Sequence, residues 1–220
     1  MIEHDKRWME ASDVMPMFPS LVWKIQLESG LRDSLNASIT AALAELRREG
    51  APLPVGRGWQ SGHKLHLRAE LGELVTCVER GVTSILRFLR IGHDVFEITG
   101  CWATVLAQGA AHKVHSHPNN FLSGVYYVRV DAGADQINFH DPRRQAAVMR
   151  LPAVELTAEN TDQVVVRVRS GTLLIFPSWL EHSVDANPNP AERITVSFNV
   201  MLSSFAEQLS QPLWSGQPSS

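Results

Sequence analysis

The stretch HSHPNNFLSGVYYVRV, residues 115–130, decides how the whole chain reads. Its second half is dense in Val, Tyr and Phe, side chains that suit a pleated, half-buried surface, so residues 121–130 read as a strand. The same texture returns at 102–106, 136–140, 164–169, 172–176 and 193–202, with Gly, Pro, Asn and Asp punctuating the gaps. Many short strands joined by brief turns predict an antiparallel sandwich or barrel.

Toward the N-terminus the period changes. Leu31, Leu35, Ile39, Leu43 and Leu46 recur at helical spacing, with Gly50 as the expected stop. Leu71, Leu74, Val78, Val82, Ile85 and Leu89 form a second such series that closes before Gly92. Two helices are therefore expected to precede all the strands and to cover one face of a sheet. Residues 51–62, rich in Gly and Pro, read as an ordered loop anchored by Trp59. Residues 203–220, rich in Ser, Gln and Pro, read as a loosely held tail in which Leu213 and Trp214 offer a docking point. A length of 220 residues predicts one domain: helical support over about 1–93, a β core over about 94–202, and the tail.

Composition removes several function classes. Hydrophobic residues make up 44% and charged residues 20%, which fits a folded globular protein and excludes a disordered or collagen-like chain. A net charge of −3 supplies no positive field to draw the chain onto nucleic acid or anionic lipid. Only Cys77 and Cys101 are present, so neither a disulfide framework nor a thiolate zinc site is expected. The first sixteen residues contain acidic groups and no continuous apolar run, so no signal peptide is read there, and no stretch is long and apolar enough to span a bilayer. The expected location is cytoplasmic; oligomeric state stays open, a dimer included.

The unusual number is nine His against two Tyr. His115 and His117 flank one Ser at the edge of a β region, where period-two alternation would turn both toward one face. An isolated pair of this kind is more often a surface feature. A distant third imidazole at His182 would complete a three-sided metal site, because neutral imidazole is the commonest protein metal ligand. His112 falls on the opposite face of a regular strand and is left out; His63, His66, His93 and His140 lack partner spacing and read as structural. Arg193 opens the strand 193–202 with Thr195, Ser197 and Asn199 on its own face, a polar row that needs a buried ligand or water. Asp141, Pro142 and Arg143 read as turn chemistry, and Trp59, Trp102 and Trp179 as core or loop anchors.

Four segments together, HSHPNNFLSGVYYV (115–128), FHDPR (139–143), GTLLIFPSWLEHSV (171–184) and RITVSFN (193–199), with GWQS (58–61) upstream, resemble the iron(II)/2-oxoglutarate-dependent oxygenases, and within them a branch without assigned substrates. The resemblance implies a mainly β fold with flanking helices, a double-stranded β-helix, that is, a jelly-roll, cupin-like barrel. It implies iron(II) on His115, His117 and His182, and 2-oxoglutarate on Arg193, with Tyr127 as the tyrosine that donates to the same carboxylate. Tyr126 is the alternative, since the loop at 118–120 obscures the strand parity, and Thr195 or Ser197 could add a hydroxyl. The family's usual motif places Asp or Glu where this chain has His117. Three-histidine iron sites occur in related jelly-roll dioxygenases, and a site with only His115 and His182 from the protein is the other option.

The activity so implied is hydroxylation of an unidentified small-molecule or peptide substrate, with succinate and carbon dioxide formed from 2-oxoglutarate. Two competing readings are a three-His dioxygenase that does not use 2-oxoglutarate and a jelly-roll module that only binds a small acid.

Overall fold

A computed structural model describes residues 10–47, 53–92, 95–143, 148 and 152–203. The helical periodicities materialise as α1 (Ser29–Leu46) and α2 (Gly72–Phe88). α1 buries Leu35, Ile39, Ala42 and Leu43, and α2 buries Leu74, Val78, Val82, Ile85 and Leu86. Gly81 in the middle of α2 is a packing requirement: a Cβ there would lie 2.8 Å from Ile175 Cδ1 and 3.4 Å from Ile25 Cδ1. The helix thus sits directly on the sheet. Gly50, His93, Leu213 and Trp214 lie outside the described residues.

Among the described residues, ten strands follow the order β1 (Trp23–Gln26), β2 (Gly58–Gln60), β3 (Phe96–Leu106), β4 (His112–His115), β5 (Leu122–Arg129), β6 (Gln136–His140), β7 (Gln163–Arg167), β8 (Thr172–Pro177), β9 (His182–Val184) and β10 (Arg193–Leu202). They form two sheets, ordered β1-β8-β5-β10-β3-β2 and β4-β9-β6-β7, with antiparallel pairing throughout. From β3 to β10 the chain passes back and forth between the sheets in jelly-roll fashion. The sheets face each other across an apolar layer that includes Phe139 and Phe176, whose rings meet edge to face at 5.0 Å.

Two expectations need correction. The helices do not precede every strand: β1 comes before α1, and β2 lies inside the segment read as a loop. Both extend the large sheet at its edges, because short stretches gain strand geometry from the neighbour they pair with and not from their own pattern. Trp59, within β2, is half-buried against the core as expected, with the Arg47 guanidinium 6.0 Å from its ring centroid. Trp179 is not an anchor; it is 54% exposed. No helix among the described residues is long and apolar enough to cross a membrane.

β10 runs through the centre of the large sheet and shows how one strand serves two environments. Ile194, Val196, Phe198, Val200 and Leu202 join the core under α1 and α2. Arg193, Thr195 and Ser197 alternate with them and line a cavity between the sheets.

Candidate metal centre and anion pocket

β4 and β9 are neighbours in the small sheet, and their register makes His115 and His182 direct partners, so both imidazoles leave the same face with ring centroids 4.3 Å apart. His117 lies two residues beyond the end of β4, not on it. Its backbone N–H donates to the Ser178 carbonyl at 2.9 Å, which folds the chain back and sets its ring 5.2 and 5.3 Å from those of His115 and His182. The same-face expectation for His115 and His117 thus holds, but through a loop contact instead of strand alternation. One nitrogen from each of the three rings lies within 4.8 Å of the others.

The ring tautomers follow from their backbone partners. A carbonyl only accepts, so His115 Nδ1–H donates to Lys113 O at 2.7 Å and His182 Nδ1–H donates to Leu180 O at 3.0 Å. Both Nε2 lone pairs are then free, the arrangement in which a backbone carbonyl fixes a metal-ligating imidazole. Burial pushes His117 and His182 down to about 4, so both are neutral at physiological pH. Phe176 packs 4.8 Å from the His182 ring, and Trp102 stands 5.8 Å from His117. Three converging imidazole nitrogens, two of them oriented by backbone carbonyls, fit a divalent transition metal.

The cavity measures about 400 Å³ and contains, besides the three imidazoles, Arg193, Tyr127, Thr195 and Ser197. Arg193 is 4% exposed, and its Nε donates to the Ala134 carbonyl at 3.1 Å. No carboxylate among the described residues contributes to its electrostatic environment, and burial lowers its affinity for the proton. The guanidinium lies 5.2 Å from the centroid of the Tyr127 ring. The Tyr127 hydroxyl is fully buried and makes no well-formed hydrogen bond to a described residue, and burial pushes it up to about 12 despite the opposing pull of the nearby guanidinium. A buried guanidinium with no carboxylate beside it among the described residues, next to a buried hydroxyl that interacts with it but forms no well-aligned hydrogen bond, is costly alone, and the pair would suit a carboxylate.

The parity question is settled in favour of Tyr127. Tyr126 points to the other side of β5, where its hydroxyl donates to Asn36 Oδ1 at 2.9 Å beneath α1. Asn199 does not reach the cavity; its Oδ1 accepts from Ser123 Oγ at 2.8 Å. Asp141 and Arg143 form an ion pair at 2.7 Å in an exposed turn. His140 bonds Ser183 Oγ, and His63 stacks on Trp102 with centroids 4.8 Å apart.

Sequence reasoning missed His112. Regular strand alternation predicts it on the opposite face, but the register between β4 and β9 shifts between His112 and His115, and the irregularity rotates His112 into the cavity, 6.0 Å from the His115 ring. It also missed Gln60 and Thr104, because nothing in a three-residue strand announces its partner.

Comparison with known proteins agrees with this geometry. A family model described as "Putative 2OG-Fe(II) oxygenase" matches residues 100–199, the span that carries all three imidazoles and Arg193. No curated protein matches the chain by sequence. Among solved structures, HygX from Streptomyces hygroscopicus, with nickel and 2-oxoglutarate bound, superposes with a TM-score of 0.57 at 13% identity, over 84% of each chain. A Pseudomonas putida prolyl-4-hydroxylase gives 0.56 at 15% identity, covering 82% of this chain and 92% of its own. A Trichoplax adhaerens prolyl hydroxylase, in complex with a hypoxia inducible factor peptide, gives 0.58 at 14%, covering 86% and 87%. These likenesses carry the fold, the double-stranded β-helix. The family match spans the core strands, and with the shared fold it makes the chain similar to the iron(II)/2-oxoglutarate-dependent oxygenases over residues 100–199.

Proposed function

We propose that this protein hydroxylates a small-molecule or peptide substrate, with iron(II) held by His115, His117 and His182 and 2-oxoglutarate held by Arg193. The observation that carries the reading is the pairing, in one cavity, of three converging imidazoles with a buried guanidinium that has no carboxylate partner among the described residues. Bound there, iron(II) and the 2-oxo acid would supply dioxygen activation, with one oxygen atom going to the substrate and the other to succinate as carbon dioxide leaves.

The chain's own residues do the positioning. Lys113 O and Leu180 O keep Nε2 of His115 and His182 directed inward. Arg193 offers two parallel donors to the distal carboxylate, and Tyr127, whose hydroxyl stays protonated, donates a further hydrogen bond. Thr195 and Ser197 add hydroxyls along the same wall. Phe176, Val125 and Ile137 exclude water and strengthen every charge interaction inside. His117 in place of a carboxylate leaves the metal one negative charge short, which favours anionic partners. The buried Arg193 calls for a carboxylate in either reading, so the formation of succinate is what separates the 2-oxoglutarate-dependent reading from the 2-oxoglutarate-independent one.

The test is oxygen uptake by iron(II)-loaded protein with 2-oxoglutarate present, followed by quantification of succinate. Matched oxygen consumption and succinate are expected. Metal-dependent oxygen uptake without succinate would replace this reading with the 2-oxoglutarate-independent one.

A further inference from the structure

β2 is the outer strand of the large sheet and β4 the outer strand of the small one, and between these two edges a second cavity of about 240 Å³ opens beside the first. Its walls include Gly56, Gly58, Gln60, Thr104, Ala111 and His112, and it shares Gln60, Ala111 and His112 with the main cavity. The register gives a continuous row across four strands: Gln60 pairs with Thr104, Thr104 with Thr195, and Thr195 with Tyr127. Paired residues on neighbouring strands point to one face. Strands lie about 4.8 Å apart, so Thr104 stands roughly 10 Å along the sheet from Tyr127, beyond the carboxylate assigned to Arg193 and Tyr127.

Thr104 is 3% exposed, and its hydroxyl has no hydrogen-bond partner among the described residues. The cosubstrate site does not use it. An orphaned, buried hydroxyl on the wall of a cavity marks a place where a ligand completes the bonding. Charge narrows the chemistry. Neither cavity has an Asp or Glu in its lining, whereas Arg193 and Lys113 both line the main one. Three imidazoles bring no negative charge to a divalent metal, so even the dianion of 2-oxoglutarate leaves the joined space net positive.

We propose that this lateral slot seats a carboxylate group of the substrate, received by the Thr104 hydroxyl with Gln60 and His112 beside it, which makes the substrate class a small organic acid. The inference rests on the functional reading above, since it places the substrate next to the metal and the cosubstrate.

Saturation-transfer NMR on zinc-loaded protein saturated with 2-oxoglutarate tests it, with butyrate and its neutral isostere butyramide as probes. Butyrate should gain several-fold more saturation than butyramide, and Thr104→Val should bring it down to the butyramide level while 2-oxoglutarate affinity stays unchanged. Equal saturation of the two probes, or a Thr104→Val protein that keeps the wild-type butyrate signal, overturns the proposal. The same variant, free of ligand, should melt at or above the wild-type temperature, because it deletes an unpaired polar atom. Melting several degrees lower would mean that the hydroxyl already has a structural partner, which also overturns it. Failure of 2-oxoglutarate itself to bind, with butyrate still discriminated, would sink the functional reading and leave the slot standing.

Discussion

The two faces of the large sheet use the same strands to opposite ends. On the helix side, Tyr126, Val196 and Phe198 are buried against α1 and α2, and the Tyr126 hydroxyl has its partner in Asn36. On the cavity side, among the described residues, the buried Thr104 hydroxyl has no hydrogen-bond partner, the Tyr127 hydroxyl has only the neighbouring Arg193 guanidinium, and Arg193 has no carboxylate beside it. Each unsatisfied group costs about 1–3 kcal/mol. The difference shows where stability is made and where it is spent: the apolar face sustains a polar face whose bonding is completed by ligands.

Substitutions on the two faces should therefore fail in different ways. His182→Ala should remove nearly all bound iron and all activity while leaving the metal-free fold almost as stable as before, and His115→Ala should behave alike. Phe198→Ala should do the reverse. Its ring packs against Gly124, where a Cβ would lie 2.2 Å from Phe198 Cζ, and its loss should cost about 3–5 kcal/mol of stability. Metal analysis and chemical denaturation of the two variants separate the effects; an unstable His182→Ala with iron retained would erase the distinction.

Arg193→Ala should weaken 2-oxoglutarate binding by roughly 30-fold or more, since removing one partner of a buried charged pair costs about 2–5 kcal/mol. Lys at this position should restore only part, because an ammonium keeps the charge but loses the fork. Equal affinities by calorimetry would take Arg193 out of the site.

The cavity face should also be the acid-sensitive one. Burial holds His112, His117 and His182 at about 4, below the ordinary 6.5. Between those values the unfolded chain binds protons that the folded, metal-free protein does not, so stability rises with pH across this window. It is complete above about 6.5 and is lost as pH falls toward 4. A melting temperature of metal-free protein that stays flat from pH 6.5 to 4 would contradict the burial of these rings.

The smallest effect separates the adjacent tyrosines. Tyr126→Phe should cost about 1 kcal/mol of stability by stranding Asn36, with 2-oxoglutarate affinity unchanged. Tyr127→Phe should leave stability equal or slightly higher and weaken 2-oxoglutarate several-fold. Reversed outcomes would exchange the roles of the two faces.

Much of this was legible in the chain. The long helices and the strands at 136–140 and 193–202 have enough residues for a period to emerge, and the polar row Arg193, Thr195, Ser197 reads directly from strand alternation. What stayed hidden is short or irregular. β1, β2, β4 and β9 have three or four residues each, too few for a period, and owe their geometry to neighbours distant in sequence. The register shift that brings His112 inward is a pairing property, and so is the row that joins Gln60 and Thr104 to Thr195. Tyr126 and Tyr127 could be told apart only once α1 was seen to lie over one face of β5.

The central claim is that three imidazoles and a buried arginine bind iron(II) and 2-oxoglutarate in one cavity. Anaerobic titration of 2-oxoglutarate into iron(II)-loaded protein, followed by visible absorption, addresses it most directly. A metal-to-ligand charge-transfer band should grow to saturation, survive in His117→Asp at a shifted energy, and require far more 2-oxoglutarate in Arg193→Ala. Iron that binds to the wild type without any such band at saturating 2-oxoglutarate would contradict the account.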